Sequence, residues 1–356
     1  MWLLDNATSF SVERTWVRDR DGAELWVVAV KGTFGIDESG RQFLWPDQPP
    51  VNRVPVFEGS PEASGLIHEC DLTLDKPKTD VLVQGAAIVP GGRPVKRLNV
   101  GLKVANVDKK LVVLGDRTIK RSAIGLSLTD AAPFTSMPLT WGRAFGGTDI
   151  QEGHPERSGW EARNPVGVGF AGDASRLDGK PAPNIEYPNH PYKGPRHCVP
   201  AGFGPIARHW APRARWAGTY DERWQRTRKP LLPEDFDDRF HQCAPEDQQV
   251  EGGLVGGELV ELLNLSTQSR FAFRIPRVVV SMTTRFYDGT EVEHRPRIHT
   301  LSLQPNERRF QLTWHSALPC HHRVNKLAIT RVIVKRRVNR PAAEVAEGMW
   351  PVEATA

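Results

Sequence analysis

Carboxylates and guanidinium groups crowd one stretch of this chain. Residues 217–248, AGTYDERWQRTRKPLLPEDFDDRFHQCAPEDQ, set Asp221, Glu222, Asp235, Asp237, Asp238 and Asp247 beside Arg223, Arg226, Arg228, Lys229 and Arg239. Two acids of this kind could hydrolyse a glycoside, with Tyr220 and Trp224 stacking on the sugar. A general acid needs a raised pKa, however, and neighbouring guanidinium groups lower it. Asp residues next to Pro also cap turns. The stretch therefore reads first as a loop bridged by its own ion pairs, then as a binding surface, and last as a catalytic site.

A second candidate is WGRAFGGTD, residues 141–149. Arg143 stands between Trp141 and Phe145 and precedes Gly146-Gly147. It could stack and offer its guanidinium to a carboxylate, or fix a turn as a buried ion pair. The residues leave both open. No G-x-S-x-G elbow, P-loop lysine, H-E-x-x-H or strand-linked G-x-G-x-x-G is present. The four cysteines, Cys70, Cys198, Cys243 and Cys320, form no C-x-x-C pair. HSALPCHH (residues 315–322) gathers His315, Cys320, His321 and His322, but adjacent histidines of an extended segment face opposite ways. It reads as polar surface, so neither metal nor cofactor is expected.

The elements that must position these residues are mostly strands. AELWVVAVKGTFGI (23–36), DVLVQGAAIV (80–89), and LNVGLKV with KLVVLGD around residues 105–109 have the branched, aromatic or alternating character of strands. Strand signals return after residue 268, with a two-residue hairpin at Asp288-Gly289 and a period of two in RFAFRI (270–275). ELVELL (258–263) could start a helix, and the tail after residue 340 one helical turn. Residues 130–248 are rich in Pro, Gly and Trp and lack a clear period, which predicts packed irregular coil with short helical turns. The expectation is a mainly β chain: antiparallel sheets in residues 1–129 and 249–340 around an irregular central region, 130–248, all in one unit.

The 356 residues include 47 Lys and Arg against 42 Asp and Glu, a net charge of +5. Acids sit among the arginines nearly everywhere, unlike the basic patch of a nucleic-acid protein; only VIVKRRVNR (332–340) looks like one. No apolar run approaches the 18 or so residues of a membrane helix, and MWLLDNATSF lacks a basic n-region. The reading is a soluble, cytoplasmic, reduced protein without nucleic-acid binding or membrane insertion.

Several long motifs carry a resemblance. PFTSMPLTWGRAFGGTD, NPVGVGF, PAGFGPIARHWAPRARWAGTYDERWQRTRKPLLPEDFDDRF and APEDQ occur in that order. SGLIHECDLTLDKPKTDVLVQGAAIVPGGRPVKRLNV and VLGDR precede them, and GGELVELLNLS follows. Together they resemble a bacterial family catalogued as a domain of unknown function, over roughly residues 6–314. Its members occur with type VI secretion systems, beside effectors with PAAR-like tip domains, and are regarded as effector adaptors or chaperones. The family usually has Tyr and Glu before the arginine of the WGRAFGG motif; Trp141 and Gly142 stand there in this chain.

The resemblance implies a cytoplasmic adaptor whose partners are a PAAR-like effector and a VgrG-type spike protein. An exposed strand edge would hold the client by β-augmentation. The alternatives are a carbohydrate-active hydrolase using central-loop carboxylates and a structural component of the secreted particle. Trp141, Arg143, Phe145, Arg213, Tyr220, Asp221, Trp224, Asp235, Phe236, Asp238 and Asp247 are the candidate partner-binding or loop-shaping residues.

Overall fold

A computed structural model describes residues 2–123 and 125–338. The principal strands are β1 (Leu3–Asn6), β2 (Ser11–Arg18), β3 (Glu24–Ile36), β4 (Thr79–Val83), β5 (Arg97–Val104) and β6 (Val107–Leu114). After the central region come β7 (Leu259–Leu263), β8 (Arg270–Arg274), β9 (Arg277–Phe286), β10 (Glu291–His294), β11 (Arg297–Gln304), β12 (Arg309–Pro319) and β13 (Leu327–Val338). The chain is mainly β, as expected.

Both ends of the sequence contribute to each large sheet. A seven-stranded sheet runs β4-β11-β12-β3-β2, with Gln249–Val250 beyond β4 and Gln42–Leu44 also paired to β3. A five-stranded sheet runs β6-β5-β7-β8, with Ile185–Glu186 outside β6, and a four-stranded one runs β1-β13-β9-β10. Within these three sheets pairing is antiparallel except for β4 with β11 and β1 with β13, which are parallel. Parallel neighbours need a long crossover. The central region is part of that crossover for β4 and β11.

One core joins the three sheets. Phe310 of β12 stacks on Phe34 of β3 at 5.3 Å and on Phe273 of β8 at 4.9 Å, clamping the seven-stranded sheet to the five-stranded one. The buried Trp26 of β3 donates its indole N–H to Thr330 Oγ1 of β13 at 2.9 Å, which ties in the third sheet. Phe271, Phe273 and Ile275 face the core, as the alternation in RFAFRI predicts.

The central region is mostly coil with 3₁₀ turns, strands of two or three residues and one short helix, α1 (Glu222–Thr227). It buries Trp141, Trp210, Phe145 and Phe203 in clusters of its own or against the main core. Two local expectations fail. Glu258–Leu263 does not start a helix: residues 259–263 are β7, because β5 and β8 pair with it from both sides. His321 and His322 are not extended but have φ of 46° and 61°, left-handed positions of the turn between β12 and β13. The tail after residue 340 and the end of VIVKRRVNR lie outside the described residues.

Truncating Phe310 to Ala should cost about 3–5 kcal/mol, because both stacked partners lose a face. Urea unfolding measures it. A loss below about 1 kcal/mol would mean that the sheets are not clamped at this ring.

Candidate functional site

Strand pairing lays polar side chains in rows across the face of the large sheet that turns away from the core. Asp80 of β4 stands opposite Thr300 of β11, Thr300 opposite Thr313 of β12, and Thr313 opposite Lys31 of β3. The next row holds Leu82, Ser302, Gln311 and Thr33. Directly opposed residues share a face, and nearly all of these are buried. Two coil segments cover them, one leading into β4 and one from the central region. They enclose about 30 Å³ of free space, room for one or two waters, against which Ser302 Oγ and Thr73 Oγ1 lack a protein partner.

Buried charges hold the cover down. Asp80, fully buried, accepts from Lys76 Nζ at 2.7 Å, Gln242 Nε2 at 2.6 Å, and the backbone N–H of Cys243 and Ala244 at 2.9 and 3.1 Å. Burial alone would raise its pKa; Lys76 and the two backbone N–H groups outweigh it and hold the carboxyl below its ordinary range. Glu69 receives Arg213 at 2.6 Å and Arg208 at 2.9 Å. Its pKa too is lowered, burial being outweighed by the two guanidinium groups. Burial next to Arg213 keeps His241 neutral, its pKa pulled down to about 3. On the five-stranded sheet, Lys109 Nζ donates to Gly202 O, Asp247 Oδ1 and Gln248 Oε1 at 2.7–2.8 Å. Burial brings that ammonium down to about 8, against the upward pull of Asp247.

The candidate residues do not converge on one point. Trp141 is buried edge-on against Trp210 and donates to Pro205 O at 2.9 Å. Arg143 does not sit between aromatics; it binds Asp116 and Asn184, each at 3.2 Å. Phe145 is fully buried beside Tyr192. Arg213 joins the central region to Glu69 and also donates to the carbonyls of Ile206 and Phe240. Asp247 belongs to the Lys109 cluster and accepts from Tyr187 Oη at 2.9 Å.

The remaining candidates lie together. Asp221 N-caps α1 by accepting from Trp224 N at 2.8 Å, and Asp235 accepts from Thr219 N and Oγ1 at 2.9 and 2.8 Å. Trp224 donates to Leu231 O at 2.8 Å and packs edge-on to the exposed Tyr220 at 4.8 Å. The buried Phe236 closes the base. Asp237 is paired with Arg239 at 2.6 Å. Asp238 is largely exposed, and the little desolvation it has moves its carboxyl above the ordinary range. These turns frame an apolar groove of about 500 Å³, lined by Val17, Leu72, Tyr220, Leu231, Phe236 and Phe240 among others. Salt bridges within the loop are few and exposed, such as Arg223–Glu234 at 3.2 Å. Caps and buried rings do more of the shaping than the ion pairs that the sequence suggests.

Sequence reasoning did not bring a further cluster together: it read HSALPCHH as polar surface, whereas His315 and Cys320 are buried. Asp75, His299 and His315 bring ligand-type atoms within 4.8 Å of one another. The histidine rings stack at 4.1 Å, and His299 Nε2 lies 2.7 Å from Asp75 Oδ1. A β-bulge in β11 makes this possible. Ile298 pairs with Trp314 and Thr300 with Thr313, so His299 is the extra residue. The signal is legible in RIHTLSL: apolar positions 298, 301 and 303 break the period of two at His299.

A family model described as "Uncharacterized protein conserved in bacteria (DUF2169)" matches residues 21–315. The chain belongs to this family. The match takes in the polar face, the covering segments and the central-region walls of the groove, but it begins after β2 and leaves out Val17, Arg18 and Asp19. No curated protein and no solved structure matches the chain.

Replacing Asp80 by Asn should destabilise the chain by about 3–5 kcal/mol, since Lys76 is left buried and unpaired; adding Lys76→Met should restore part of that loss. Urea unfolding of both variants reads it, and an unaffected single variant would remove Asp80 as the anchor. For pH, Asp80 and Glu69 both titrate lower folded than unfolded. Their stabilisation is complete above the unfolded values near 4 and is lost as pH falls through the folded ones. The thermal midpoint should fall gradually from about pH 6.5, as histidines held neutral by burial, such as His241 and His294, are protonated only on unfolding, and more steeply below about pH 4.5.

Proposed function

We propose that this member of the family is a non-enzymatic adaptor, or chaperone, of a type VI secretion system. It binds a cognate effector with a PAAR-like domain in the bacterial cytosol and promotes its loading onto the spike tip, where a VgrG-type protein is the further partner. Support comes from the ordered motifs described above and from one structural observation: an unpaired sheet edge that runs into an apolar groove.

β2 is the last strand of the large sheet. Asp19 N donates to Ala23 O at 3.0 Å, so odd-numbered residues of β2 bond to β3. The main-chain groups of Trp16 and Arg18 therefore point outward. No strand among the described residues pairs with them. Such an edge templates another strand. At the same end, Val17, Arg18 and Asp19 line the groove with Tyr220 and Phe236. An extended apolar segment of the effector can add to β2 while a side chain enters the groove. The groove walls are set by caps and by buried rings, so little ordering cost remains on binding.

The uses of the central acids weigh against the hydrolase alternative. Asp221, Asp235 and Asp237 cap turns or pair locally, and Asp247 is spent on Lys109 and Tyr187.

Affinity purification of the chain from its native host, with mass spectrometry, tests the reading. The expected result is one large PAAR-like protein, with or without the spike protein. Recovery of no partner, together with cleavage of a glycan panel, would favour the hydrolase. Trp16→Pro removes an outward N–H without touching the β3 ladder. It should leave folding intact by circular dichroism and abolish recovery of the client, whereas Trp16→Phe should retain it. Full recovery with the proline variant would sink the edge mechanism.

A further inference from the structure

His315 is a buried histidine with nothing to bond. Its residue exposure is 1%, and neither ring nitrogen meets a protein partner in hydrogen-bonding geometry. The Thr73 carbonyl favours the protonated ring without completing a hydrogen bond. A buried polar group left unmet costs free energy, and a bound ion or water is the usual remedy. His299, equally buried, stacks on His315, and Asp75 faces both from the covering segment.

We propose that Asp75, His299 and His315 bind a divalent first-row transition-metal ion of the zinc class, with three protein ligands and one position left open. Two imidazoles and one carboxylate are a borderline nitrogen-oxygen set, suited to such ions more than to magnesium or calcium. A tetrahedral site with bonds of about 2.0–2.2 Å places ligand atoms about 3.3–3.5 Å apart. The atoms here lie within 4.8 Å of one another, so the wider contacts must close by up to about 1.5 Å while His299 Nε2 and Asp75 Oδ1, hydrogen-bonded at 2.7 Å, move slightly apart. Asp75 can supply most of that shift, being half exposed.

The surrounding charges are compatible with this. Arg297 holds Oδ2 of Asp75 and leaves Oδ1 toward the imidazoles. The Lys76 ammonium is turned to Asp80 and Thr300. His299, alone of the three ligands, also lines a cleft of about 240 Å³ with Lys78, Gly252, Val279 and Trp314. An ion there would pin the covering segment to β11 and β12 at the bulge. This site is independent of the β2 edge and of any client.

The test uses the full chain, stripped with a chelator and titrated with zinc by calorimetry, then with cobalt(II) by visible absorption. Wild type should take up one ion per chain, and cobalt should give the absorption bands of a low-coordinate nitrogen-oxygen site. Asp75→Asn, at a half-exposed position, should weaken zinc binding by more than about tenfold. His315→Gln should abolish it. If His315→Gln fails to fold, Asp75→Asn decides. No saturable uptake by wild type overturns the proposal. So does unchanged affinity in either folded variant, which would put the ion elsewhere, such as on His321 and His322.

Discussion

The carboxylate of Asp80 is the constraint on which the arrangement depends. It lies on the strand next to the edge of the large sheet, with no exposure at all, where an unpaired charge would be prohibitive. Its oxygens are met by Lys76, by Gln242 and by two consecutive backbone N–H groups at Cys243 and Ala244. One donor comes from the segment leading into β4 and the others from the far end of the central region. Closing this shell brings two stretches more than 160 positions apart in sequence onto one sheet. Glu69 with Arg213 repeats the device a short distance away.

A face held in this way cannot be loosened piecemeal, because each donor removed leaves another buried group unmet. The consequence is a rigid cover, and rigidity is what lets an irregular, proline-rich region present defined surfaces. The groove beneath Tyr220 is bounded on one side by the cover and on the other by β2. Its walls, shaped by caps and buried rings, stand on the cover that Asp80 anchors. The stacked histidines sit where the cover meets the bulged strand, the one place where Asp75 reaches the polar face from the side.

The candidate site was only partly legible in the sequence. Residues 217–248 stand out by composition, and they do frame the groove, yet the types that drew attention are not the ones that shape it. Asp221 and Asp235 act through backbone N–H groups, a role set by turn geometry that charge alone does not announce. Arg143 finds its carboxylate at Asp116, 27 residues away, and not in its own motif. Asp75 lies 224 positions from His299, beyond any spacing rule for metal ligands, although the two histidines are close in sequence. Only the slipped alternation at His299 hinted at a residue turned to an unexpected side.

Alternation and branched residues determined the strands by themselves. β3, the β5–β6 hairpin, the turn at Asp288-Gly289 and the wet side of RFAFRI are all local, period-two or turn-chemistry signals. The sequence also determined that residues 130–248 would be coil, since proline and glycine deny them a period. Tertiary structure decided which strands share a sheet, and it made β7 a strand where ELVELL permitted a helix. It decided, too, which of many acids would be buried. These outcomes depend on partners that arrive from a distance, and hydrogen-bond ladders and ion pairs are satisfied only once those partners are in place.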